Sequence, residues 1–198
     1  MQLKVNGEPV DITLENEKTV GDFLISFENA IEEQEATTTG IILDGKVISA
    51  EEIDSIQDEP LSDGTCIELT VISKQQILEA FRQSIGRLTE QNDKLSEISV
   101  FLQSGKDAEA YSIINVLADE MESFVRTARL SSLFPDVYKK ITVDGKDLSA
   151  FFEEFFGILK DFEQALSEKD TVTVGDLAEY EISPRLRQII DSLEDCCR

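Results

Sequence analysis

The hydrophobic period of this chain changes abruptly at Ser73-Lys74, and that change constrains the fold more than any other feature. Thr65 to Ile72 alternates, with Thr65, Ile67, Leu69 and Val71 on one side and Cys66, Glu68, Thr70 and Ile72 on the other, the two-residue period of a strand. From Gln75 onward Phe81, Ile85, Leu88, Asn92, Leu95, Ser99 and Leu102 recur at steps of three and four, which places them on one face of a helix of roughly 28 residues, about 42 Å long. A strand that runs into a long helix with almost no linker predicts a sheet domain at residues 1–73 and a helical domain at 74–198. A chain of 198 residues is long enough to supply two small cores.

Before the boundary the signals are short. Leu3 and Val5 alternate with polar neighbours, Asn6-Gly7 offers a tight turn, and Val10, Ile12 and Leu14 continue the alternation, which predicts a hairpin. Thr19 or Asp22 is placed to cap a helix that carries Val20, Phe23, Leu24, Phe27, Ala30 and Ile31 on one face. Ile41-Ile42-Leu43, the Asp44-Gly45-Lys46 turn and Val47-Ile48 read as two short strands, and Ser49 to Ile53 as the start of a brief helical turn.

After the boundary, Gly105 ends the long helix and Asp107 is placed to cap the next, whose stripe runs Ala110, Ile113, Ile114, Leu117, Met121, Phe124, Val125 and Ala128. Pro135 disfavours helix at Phe134 and leaves 137–143 open between a short helix and an extended piece. Asp144-Gly145-Lys146 is a turn, and Asp147 or Ser149 starts a third helix. Five phenylalanines fall between 151 and 162. Phe151, Phe152, Phe155 and Phe156 form two adjacent pairs that span more than the roughly 100° stripe a bundle helix buries, so they read either as bundle core or as a groove for a partner. A last helix is expected from about Val172 to Leu193, kinked or split by Pro184. Asn92 and Ser99 interrupt the first helical stripe and read as partly exposed or register-fixing positions.

Hairpin, helix, two short strands and a long last strand is the order of the β-grasp fold, and residues 1–72 resemble a ubiquitin-like domain through that order, through Thr19-Val20-Gly21-Asp22 and through the Leu43 to Ile48 hairpin. The resemblance implies a ubiquitin-like β-grasp domain and a docking role; with the helical stripes that follow it, the expected fold is α+β, an N-terminal ubiquitin-like β-grasp domain followed by a C-terminal antiparallel four-helix bundle. Conjugating members and sulfur carriers of that family end in a free Gly-Gly carboxylate, whereas here Ile72 continues into Ser73, Lys74 and a helix, so a modifier role is not expected. The stretch Lys169 to Pro184 resembles the C-terminal helix of small helical proteins of flagellated bacteria, which implies a bacterial, motility-related setting.

Composition narrows the chemistry. There is no histidine, which removes the commonest general base and metal ligand, and no glycine-rich phosphate loop. Cys66, Cys196 and Cys197 fit neither a disulfide framework nor a zinc spacing, and the last two are expected on a frayed end with exposed thiols. The carboxylate pairs Glu51/Glu52, Glu153/Glu154 and Glu179/Glu181 are expected as solvated faces in a chain with 41 acidic residues. The expectation is therefore no enzymatic activity, no catalytic residue, no cofactor and no metal.

The net charge is −23, and residues 1–73 carry 17 acidic against 3 basic side chains. Such a field repels nucleic acid and membrane phosphates and favours basic partners. With no signal-like apolar run at Met1–Gly7, the expected setting is cytoplasmic, with no membrane and no nucleic acid as partner. The leading expectation is a protein-protein interaction module, an adaptor or chaperone-like binder with Phe151, Phe152, Phe155 and Phe156 as candidate partner-binding residues. The alternatives are an acidic DNA mimic or antagonist of a basic protein, and a subunit that forms a homodimer through its helices.

Overall fold

A computed structural model describes all of residues 1–198 and divides the chain into two compact units, Met1–Gln76 and Ile77–Arg198. In the first unit β1 (Gln2–Val5), β2 (Glu8–Val10), β3 (Ala36–Leu43), β4 (Lys46–Ile48) and β5 (Cys66–Ser73) form one sheet in the order β2-β1-β5-β3-β4. β1 and β5 are parallel and the other pairs antiparallel. Helix α1 (Val20–Glu32) lies between β2 and β3 in sequence; a 3-10 turn (Ala50–Glu52) and α2 (Ile53–Ile56) follow β4. Leu3, Val20, Phe23, Leu43, Ile48, Ile56, Ile67 and Leu69 form the core. Each such apolar side chain contributes about 1.5–3 kcal/mol by leaving water.

The turns explain why the strands meet as they do. Asn6-Gly7 and Asp44-Gly45 both have positive φ (52° and 87°, 50° and 83°), the two-residue hairpin turn whose twist matches its strands. Each turn also braces β5 with its first side chain. Asn6 donates to the Val71 carbonyl at 3.0 Å and accepts from the Val71 N–H at 2.8 Å, while Asp44 Oδ1 accepts from the Cys66 N–H at 2.7 Å. The central strand is thereby held at both ends by side chains that mimic a backbone.

Thr19 caps α1 through a capping box. Its hydroxyl accepts from the Asp22 N–H at 3.2 Å, and the Asp22 carboxylate accepts from the Thr19 N–H at 3.1 Å. Gly21 is tightly enclosed: a methyl there would lie 2.9 Å from the Gln57 carbonyl oxygen. Two expectations are corrected. β2 stops at Val10, so Ile12 and Leu14 are not in a strand, and β3 begins at Ala36 instead of Ile41.

Helix α3 (Lys74–Gln103) starts directly after β5 in sequence, and from Ile77 onward it belongs to the second unit. Then come α4 (Asp107–Ser131), α5 (Pro135–Tyr138), a small hairpin of β6 (Thr142–Val143) and β7 (Lys146–Asp147), and α6 (Leu148–Glu168). The last helix is divided into α7 (Thr171–Asp176), a π-helical segment (Leu177–Ile182) and α8 (Ser183–Cys196). Pro184 is the reason for the division, since it has no N–H to continue the ladder. The wider turn lets the Ser183 N–H reach the Ala178 carbonyl and puts Pro184 in the first turn of α8, where the missing donor costs least.

The buried side of α3 carries Ile77, Phe81, Ser84, Leu88, Gln91, Asn92, Leu95 and Ile98. Phe81, Leu88, Asn92 and Leu95 of the expected stripe lie on it, but its C-terminal end departs: Ile98 is buried, while Ser99 and Leu102 are only partly covered. Asn92 is a register-fixing residue. With the amide turned so that both of its ends find complementary partners, its NH2 donates to the Ser183 hydroxyl (3.0 Å) and carbonyl (3.1 Å), and its oxygen accepts from Arg187 Nε (3.2 Å). Ser99 marks a close approach, because a methyl on Gly175 would lie 2.7 Å from its Cβ.

Asp107 is the first residue of α4, not its cap, and the cap position is Lys106. The end of the chain is not frayed at its cysteines: α8 runs to Cys196, and burial pushes both the Cys196 and Cys197 thiols up. Their sulfurs approach the Val137 and Leu78 carbonyls at 3.9 and 3.7 Å.

Candidate docking surface

Helix α6 is started by a side chain and aimed by a hairpin. Asp144-Gly145, with φ of 54° and 72°, reverses the chain between β6 and β7, and the Asp147 carboxylate accepts the Ala150 N–H at 2.8 Å. The cap starts the helix, and the packing of its inward face separates the four candidate phenylalanines. Phe151 and Phe155 are buried, with exposures of 4 % and 0 %, whereas Phe152 is half-buried and Phe156 is 49 % exposed. The groove expectation is thus corrected for Phe151 and Phe155, which no partner can reach without opening the core. The cause is the helical period: 151 and 155 share the inward face with Leu148, Phe162 and Ala165, and 152 and 156 lie about 100° round from them.

Phe152 and Phe156 are tied to the core by aromatic contacts. Their rings stack at 5.6 Å with an interplanar angle of 17°. Phe152 meets Phe124 of α4 at 5.7 Å, and Phe124 meets Phe81 of α3 at 6.2 Å. A ring held this way loses little freedom on binding, which lowers the entropic cost of a contact.

Beside these rings lies a cleft of about 360 Å³ between α4 and α6. Val125, Ala128, Leu148, Phe152 and Phe156 supply its apolar surface; Tyr138 of α5, Ser132, Ser149 and the oppositely charged Arg129 and Glu153 supply its polar groups. Apolar walls with a few polar groups are suited to holding an apolar side chain of a partner. The segment 133–143 covers part of this side, with Phe134, Val137 and Ile141 buried and Tyr138 on the cleft.

One member of each carboxylate pair is held by a cation. Glu52 accepts from Lys46 at 2.7 Å and from the Ser49 N–H and hydroxyl at 3.1 Å, which holds it at about 2. Glu154 pairs with Lys146 and Glu181 with Arg185, each at 2.7 Å. A lowered carboxylate is the opposite of what a general acid at neutral pH needs. No group of three or more Cys, Asp or Glu side chains is arranged to hold a metal ion, and no helix is long and apolar enough to cross a membrane.

Each unit carries a family match, so the chain has a two-domain architecture: residues 1–73 match the family described as TP0873 N-terminal domain, and residues 75–192 match a domain of unknown function, DUF8042. The chain belongs to the DUF8042 family. It is 29 % identical over 193 residues to an uncharacterized protein of Treponema pallidum (strain Nichols), a similarity that covers 98 % of this chain and 96 % of that one. No solved structure matches.

Proposed function

We propose that this protein is a non-enzymatic adaptor, in which a ubiquitin-like β-grasp domain is fused to an antiparallel helical bundle that binds an amphipathic helix of another protein. The β-grasp reading is supported by the strand order β2-β1-β5-β3-β4 with a parallel central pair and a helix between the second and third strands. The binding reading rests on one observation: Phe156, stacked on Phe152 beside an apolar cleft, leaves about half of its surface in water. A client helix would seat its i, i+3, i+4 and i+7 side chains along that cleft. Arg129 and Glu153 give the rim one charge of each sign and fix the direction of the client.

The test is capture of a native partner by the whole chain at 0.1 M and 0.5 M salt, with Phe156→Ala as the comparison. Capture that survives salt and falls about tenfold or more in the variant supports the cleft. Capture that disappears in salt and ignores Phe156 favours the alternative, an antagonist that presents carboxylates to a basic protein.

A further inference from the structure

The first unit carries a second surface of a different kind. β3 is eight residues long, but β4, its neighbour on the side away from β5, is three residues long and pairs only with Ile41, Ile42 and Leu43. No strand therefore covers Ala36 to Gly40 on that side. An open strand edge of this length normally pairs with another chain unless something blocks it. Here the block is a bulge at Thr39, where the β3–β5 register shifts between Thr38 and Gly40, together with one side chain. Glu28 of α1 accepts from the Thr38 N–H at 3.2–3.3 Å and from the Thr37 hydroxyl at 2.7 Å, and so occupies the position a partner's carbonyl would take.

Beside this edge runs a cleft of about 400 Å³ lined by Leu24, Ile25, Ile41, Ile48 and Ile53 as well as Glu28. Ile25 is 65 % exposed, which leaves a large apolar side chain of α1 uncovered next to the open edge.

We infer that the Ala36–Gly40 edge of β3 accepts an extended, basic segment of another protein as an added strand, with its apolar side chains in the Ile25–Ile53 cleft and a lysine or arginine on Glu28. Charge selects the occupant. Residues 1–73 carry 17 acidic and 3 basic side chains, so a second copy of this edge is repelled while a cationic strand is drawn in. Glu28 is part of that selection. When a partner carbonyl takes the Thr38 N–H, the displaced carboxylate needs a cation, and a neutral strand offers none.

The experiment titrates the whole 15N-labelled chain with acetylated, amidated Lys-Val-Lys-Val-Lys-Val-Lys. The controls are the same peptide with its central valine replaced by proline, which keeps the charge and removes a backbone donor, and a threonine-valine peptide without charge. The expected result is saturable shifts and slowed exchange at Thr37–Gly40, cross-strand contacts from the peptide to β3, and binding by the proline and neutral peptides weaker by about tenfold. Glu28→Gln should cut the preference for the lysine peptide over the neutral one by about threefold. Phe156→Ala should leave this titration unchanged, so its outcome is independent of the cleft on α6. Shifts scattered over the acidic surface, equal binding of the proline peptide, binding at α6 or no saturable binding would each overturn the inference.

Discussion

Gly175→Ala sets two magnitudes against each other. Replacing a helical glycine by alanine ordinarily stabilises by about 1 kcal/mol, because the glycine backbone has more freedom to lose. At Gly175 the new methyl would lie 2.7 Å from Ser99 Cβ, against the roughly 3.5–4.0 Å of a comfortable carbon contact. Neither atom can rotate away, since both are the first atoms of their side chains, and α3 and α7 must part by about 1 Å. Overpacking that forces backbone movement costs about 3 kcal/mol, which leaves a net loss of about 2 kcal/mol. Ser99→Gly removes the obstructing atom, at a helix cost of about 0.5 kcal/mol for α3, so the double variant should return to within about 1 kcal/mol of the parent. The assay is urea unfolding followed by tyrosine fluorescence, which isolates the second unit because Tyr111, Tyr138 and Tyr180 all lie in it. With a slope of roughly 2 kcal/mol per molar, Gly175→Ala should lower the midpoint by about 1 M. A single variant as stable as the parent, or a double variant no better than the single, would refute the close approach.

Three further outcomes follow from the same geometry. Gly21→Ala should destabilise the first unit by about 2 kcal/mol despite its gain in helix propensity, since the methyl meets the Gln57 backbone; thermal unfolding read from the β5 amides checks this. Asn92→Leu keeps the forked shape but puts bulkier methyls where the amide donated to Ser183, and should cost about 2 kcal/mol by the tyrosine assay, whereas an unchanged or raised midpoint would show that the amide is dispensable. Glu52 is held below its ordinary 4.5, at about 2, first by the Lys46 ammonium and then by Ser49, so its contribution to stability is complete above about pH 5 and is lost as pH falls toward 2; a carboxyl-carbon titration should place its midpoint well below that of a free glutamate, and Lys46→Met should raise it.

The sequence carried those features whose cause is local. Asn6-Gly7, Asp44-Gly45 and Asp144-Gly145 are readable as turns because a pair of positive-φ residues has few alternatives, and Thr19 and Asp147 are readable as caps because their side chains satisfy backbone a few residues away. Features set by distant partners were not readable. Thr37-Thr38-Thr39-Gly40 lacks apolar alternation and belongs to β3 because β5 and Glu28 satisfy its backbone, whereas Ile12 and Leu14 alternate well and have no strand to pair with. The crowding of phenylalanines on α6 is plain in the sequence, but which pair faces inward depends on the helices that α6 packs against. The rings of Phe81 and Phe124, which connect Phe152 to the core, come from two other helices and give no signal at α6. The close approach of Gly175 to Ser99 was equally hidden, although the neighbouring stretch Val174 to Leu177 reads plainly as helix.

The adaptor reading is tested most directly by a photo-crosslinking amino acid placed at position 156 of the whole chain in its native cells, with the crosslinked peptides then mapped. The account predicts crosslinks to a segment of another protein with apolar residues at i, i+3, i+4 and i+7. It also predicts their loss when Phe152→Ala is added, with the helical circular dichroism unchanged. Crosslinks confined to this chain's own residues, or capture undiminished by Phe152→Ala, would contradict it.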